Sequence, residues 1–209
     1  MNESTRVGLA TIAICLSFAA ALPAAEPAEE IQLDAPEDWK GERIKLPPSF
    51  APNMKLKGIE EIRFAPGMFE ADSDSFFSYL FVFQLETEPQ LTREVIESEL
   101  LVYYRGLATA VLKGRNITVD TTKFTLRLKP QKAGDAKDDN SPRYVGDLAW
   151  LEPFVTQQSQ TLHLEVDAWT DSQAKQNYLF VCVSPQDKKS EIWKTMRELR
   201  AAFLAKVEN

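Results

Sequence analysis

Residues 76–85, FFSYLFVFQL, constrain the fold more than any other part of the chain. One side of this run carries Phe77, Tyr79, Phe81, Phe83 and Leu85, and the other carries Phe76, Ser78, Leu80, Val82 and Gln84. A strand with apolar character on both faces belongs in the middle of a sheet covered on two sides. The rest of the chain must then supply flanking strands and the layers that cover them. With 209 residues, 44% hydrophobic and 26% charged, it has the material for such a core.

The flanking strands are legible as alternating runs at 42–46, 59–64, 122–129, 144–151, 161–169 and 177–183. Pro47, Pro48 and Pro52 end the first, and the Pro66-Gly67 pair ends the second. Two segments have helical periodicity. In 92–113, Thr92 is placed as N-cap and Glu94 in the first turn. Ile96, Leu100, Tyr103, Tyr104, Leu107 and Val111 make its apolar stripe. In 190–206 the stripe is Ile192, Met196, Leu199 and Phe203, flanked by Trp193 and Val207. The last connections are too short for crossover helices, so the strands at 144–151, 161–169 and 177–183 should run as an antiparallel meander. The polar stretch 130–142 reads as a mobile loop. The expectation is an α+β fold: an antiparallel sheet of about six to seven strands with two long helices packed on it, in a single domain at 42–209.

This order of elements is similar to that of the Mog1/PsbP-like domains of exported proteins. The resemblance covers most of the chain after its N-terminal segment and rests on element order rather than on a motif. It implies an α/β/α sandwich as the alternative architecture. It carries no residue role with it.

Residues 1–25 have the pattern of a secretory signal peptide. Arg6 closes a short polar start, an apolar run follows to Leu22, and small residues cluster at Ala19–Ala21 and Ala24–Ala25. The run is short for a membrane span, which needs about 20 apolar residues, so no stable span is expected after cleavage. Cleavage would leave Cys182 as the one cysteine, which excludes an intrachain disulfide and a cysteine zinc cage. Residues 26–41 contain Glu26, Glu29, Glu30, Asp34, Glu37 and Asp38 and are expected to form a disordered, solvated lead-in. The net charge of −7 resides mostly there, and it argues against nucleic acid as a partner.

No phosphate loop, dinucleotide fingerprint or nucleophile elbow is present, and His163 is the single histidine. In 161–167, TLHLEVD, residues Leu162, Leu164 and Val166 share one face, and His163, Glu165 and Asp167 share the other. Trp169 falls on that second face, at the strand end. With Arg127 from another strand, His163, Glu165, Asp167 and Trp169 form the candidate ligand-binding set. Side chains two apart on a strand stand about 7 Å apart along it, so three metal ligands converge poorly. No metal, cofactor or catalytic residue is assigned. The competing reading is a plain polar face paired with Arg127 and Lys129. Asp72 and Asp74, and Asp135, Asp138 and Asp139, lack a calcium-loop spacing. Glu60, Glu61, Glu165 and Asp167 qualify as glycosidase carboxylates by residue type alone.

These features point to an exported, periplasmic or secreted, non-catalytic binding or accessory module of the cell envelope. Its partner would be an envelope protein or a small ligand. The alternatives are a hydrolase of envelope material working through carboxylates or His163, and an assembly protein docking through an exposed sheet face.

Overall fold

The computed structural model describes residues 31–86, 90–131, 143–171 and 176–207. The strands are β1 Lys40–Leu46, β2 Gly58–Phe64, β3 Tyr79–Leu85, β4 Thr125–Pro130, β5 Arg143–Leu151, β6 Ser159–Asp171 and β7 Gln176–Ser184. The helices are α1 Arg93–Lys113 and α2 Glu191–Val207. All strands join one seven-stranded sheet in the order β1-β2-β3-β7-β6-β5-β4, and every pairing is antiparallel. The chain runs β1-β2-β3 from one edge to the middle and crosses one face as α1. It then returns from the far edge as the expected meander, until β7 closes against β3. The fold is α+β.

The doubly apolar strand takes the central place its composition demands. Every residue of β3 is buried. Tyr79, Phe81, Phe83 and Leu85 enter the layer under α1, and Leu80 and Val82 enter the layer under α2. The helices thus cover opposite faces of the sheet. The strand starts at Tyr79 and not at Phe76, because Phe77 has a φ of 50° in the preceding turn. Its N–H donates to Met68 O at 2.9 Å there, and its ring packs on Trp150 and Phe154. A left-handed backbone at a bulky residue is strained, so that aromatic packing must offset the cost.

Thr92 caps α1 as its sequence implies, its Oγ1 accepting from Val95 N at 3.3 Å. Past the middle of α1 the buried stripe shifts by one residue, to Ala108 and Leu112 in place of Leu107 and Val111. Gly106 has no Cβ and so lets the helix press against the backbone of Phe50 and Ala51. In α2 the buried positions are Ile192, Trp193, Met196, Arg200 and Phe203, with Leu199 at the margin.

Two further expectations need correction. The strand expected at 122–129 begins at Thr125, because Asp120 caps a short 3-10 turn at Thr121–Lys123, accepting from Thr122 N and Oγ1. The expected solvated lead-in is, over residues 31–39, part of the fold. Ile31, Leu33 and Trp39 are buried against the α2 layer. Leu33 N lies 3.5 Å from Glu61 Oε1, Arg43 donates to Ile31 O, and Lys206 pairs with Asp34. Apolar residues spaced through an acidic stretch escaped a reading based on net charge. The expected signal segment, residues 26–30 and the loop with Asp135, Asp138 and Asp139 lie outside the described residues.

Candidate functional site

Strand alternation places His163, Glu165, Asp167 and Trp169 on one face of β6, as their spacing requires, and that face is turned towards α2. Arg197 of α2 reaches Glu165 through Nε at 3.1 Å and Nη2 at 2.7 Å. Arg200 bridges two carboxylates, with Nη1 at 2.9 Å from Glu165 Oε2 and Nε at 3.2 Å from Asp167 Oδ2. Glu165, Asp167 and Arg200 are all buried. Arg197 also lies over the Trp193 ring, at 5.4 Å from its centroid. Trp169 stacks on Tyr178 with centroids 5.1 Å apart and meets the Phe203 ring at 64°. These contacts make Glu165, Asp167 and Trp169 a seam between sheet and helix.

His163 sits at the open end of this row. Its Nδ1 is 2.6 Å from Asp147 Oδ1 on β5. The register lines up Arg127, Asp147, His163 and Ser184 across four strands. An acid, an imidazole and a hydroxyl in a row suggest a nucleophile with its base. The Ser184 hydroxyl, however, is buried and bonds Ser78 Oγ at 2.7 Å and Gln186 N at 3.0 Å, not the imidazole. The Arg127 side chain is 80% exposed and lies 4.0 Å from Glu97 of α1. The structure therefore does not bring the five candidate residues to one point. The partner of His163 is Asp147, which sequence reasoning passed over although it lies in an anticipated strand. β5 separates β4 from β6, so neither Arg127 nor Lys129 is a direct neighbour of His163.

Glu60 and Glu61 point to opposite faces and cannot act as a pair. Glu61 lies on the α2 side between Arg43, whose Nη2 is 2.8 Å away, and Arg63. Burial acts to raise the pKa of its carboxyl, but the hydrogen bonds and charges of the two guanidinium groups outweigh burial and hold it below the ordinary value. Asp72 and Asp74 are exposed. Among the described residues no three His, Cys, Asp or Glu side chains converge as a metal site would require. Cys182 is buried, with Sγ 3.8 Å from Met196 O.

A larger hollow than any at these residues lies elsewhere, beyond the C-terminal end of α1, and exceeds the one between Gly41 and Arg63. This cleft of about 460 Å³ is formed by 118–120, Lys123 and Phe124 on one side and by 149–151 and 159–161 on the other. Trp150 and Gln160 are cross-strand partners, and the indole Nε1 donates to Gln160 Oε1 at 3.1 Å. Phe124 packs its edge on Trp150. Thr118, Ser159 and Thr161 bring hydroxyls to the walls. The ionisable groups here, Asp120 and Lys123, lie 3.7 Å apart. The hydrogen bond from Thr122 holds the Asp120 carboxyl below its usual range. The cleft went unread in the sequence because its wall at 118–124 resembles the start of a strand. The available signal was Asp120 two residues before Thr122, an arrangement that turns the chain.

Comparison of the chain with known protein families, with characterised proteins and with solved structures gave no match.

Proposed function

We propose that this chain is an exported, non-catalytic binding or accessory module of the cell envelope that holds a small ligand in the cleft beside Trp150. The observation that carries this reading is the cleft itself. Its volume of about 460 Å³ falls within the range of about 300–1,000 Å³ typical of small-molecule sites. An apolar floor with a few fixed polar groups is the composition such sites use. Asp120 and Lys123 neutralise each other, which suits an uncharged ligand with hydroxyl or amide groups. The sequence pattern of 1–25 supports export.

The test is native mass spectrometry of the protein purified from its own exported fraction, beside a Thr161→Trp variant that fills the exposed wall of the cleft. A stoichiometric extra mass on the natural chain that is absent from the variant is the expected result. A bare chain in both samples, or an adduct that survives the filled cleft, rejects the site. The assembly reading has one observation in its favour: Phe69 is 52% exposed and extends an aromatic cluster with Phe64 and Phe154. It predicts a co-purifying protein that is lost on Phe69→Ser.

A further inference from the structure

Glu60 is a carboxyl built into the apolar layer between the sheet and α1. Alternation along β2 turns it and Ile62 to that side, with Ile44 of β1 and Phe83 of β3 as its cross-strand neighbours. It has no exposed surface. Oε1 accepts from Tyr103 Oη at 3.1 Å, and Oε2 has no partner among the described residues. The titratable groups around it are Tyr103 and Tyr104 of α1, Tyr79 of β3 and Glu42 of β1. The hydroxyls of Tyr79 and Tyr104 satisfy each other at 2.7 Å. None of these groups is a cation. Glu61, the next residue, shows what a guanidinium pair does for a buried carboxylate, and Glu60 has no such pair.

An ionised carboxylate held by one hydrogen bond, without a counter-charge, is a far costlier occupant of this layer than a neutral carboxyl. Burial pushes the Glu60 pKa up to about 8, against the Tyr103 hydrogen bond, which lowers it, and with the Glu42 charge, which raises it further. The walls of the site differ in how they can yield. On the sheet side, β1, β2 and β3 are joined by continuous ladders. On the helix side, α1 is held by packing and by side-chain hydrogen bonds before and after Tyr103. Glu99 accepts from Lys55 N and Leu56 N, and Glu97 accepts from Leu128 N. Past Tyr103, Arg105 donates to Thr122 O at 3.3 Å and to Phe124 O at 3.1 Å, so Tyr103 lies on the stretch between these anchors.

We infer that Glu60 is a proton-held latch on α1: the helix seats fully on β2 and β3 only while this carboxyl is neutral, and loss of the proton opens the helix at Tyr103 to admit water. The unfolded chain gives up this proton near pH 4.5 and the folded chain near pH 8. The folded state therefore holds an extra proton in that window, and the stabilisation is full below it, falls as pH rises through it and is gone above it.

Two measurements on the natural chain test this. The first is a ¹³C NMR titration of the Glu60 carboxyl. The second is hydrogen exchange of the α1 amides from pH 5 to 8, corrected for base catalysis. The expected results are a midpoint far above the ordinary carboxylate range and an opening constant around Tyr103 that rises about tenfold per pH unit. Glu60→Gln should abolish that dependence. Tyr103→Phe, which removes the donor that favours the anion, should move the midpoint higher still. An ordinary Glu60 midpoint, or α1 opening that ignores pH in the natural chain, overturns the latch. Neither of those readouts requires a variant to fold.

Discussion

Adjacent carboxyls in this protein meet opposite fates because a strand turns successive side chains to opposite faces. Glu60 is driven neutral under α1, whereas Glu61 is kept charged between Arg43 and Arg63. The same alternation takes Glu165 and Asp167 beneath α2, where Arg200 joins them. Truncating Arg200 to Ala leaves two buried carboxylates with a reduced set of partners. Breaking a buried pair in this way costs about 3–5 kcal/mol, to be read as a lowered midpoint in denaturant at unchanged slope. A loss under about 1 kcal/mol would mean that the cluster is solvated and worth no more than a surface pair. The row of His163, Glu165, Asp167 and Trp169 was legible from spacing alone. What it faces was not, because the facing residues come from α2, about thirty positions later in the chain. One clue did exist: Arg200 falls on the apolar stripe of α2, where an unpaired charge is not tolerated.

At the scale of elements, the segment before β1 is the clearest departure from what charge alone implies. Residues 31–39 contribute Ile31, Leu33 and Trp39 to the layer beneath α2, while Asp34 lies at its surface with Lys206. Leu33 is 1% exposed. Leu33→Ala is therefore expected to cost about 2–5 kcal/mol in thermal or denaturant unfolding, as for other core leucines. A solvated lead-in would give no change at all. The helices were legible because each repeats its apolar positions over several turns. The short turn at Thr121–Lys123 was not, since alternation at 122–129 continues across a cap that only Asp120 marks. The cleft wall depends on that turn, so the fold was read with more success than the candidate site.

Across the whole molecule, two apolar layers share one set of central strands. Phe81 and Phe83 belong to the layer of α1, while Leu80 and Val82, between and beside them on β3, belong to the layer of α2. On β7, Leu179, Val181 and Val183 alternate in the same way with Tyr178, Phe180 and Cys182. Neither layer can melt without exposing the back of the other, so equilibrium unfolding at fixed pH should be a single transition. Near-ultraviolet circular dichroism and far-ultraviolet signals should coincide, with β3 and β7 amides the last to exchange. Two separated transitions would show that the layers are independent. The contact between Asp34 and Lys206 has a further consequence. It lays the segment before β1 against the last turn of α2, and Ile31 and Val207 share one apolar layer, so a linker joining residues 31 and 207 would have only that layer's edge to span.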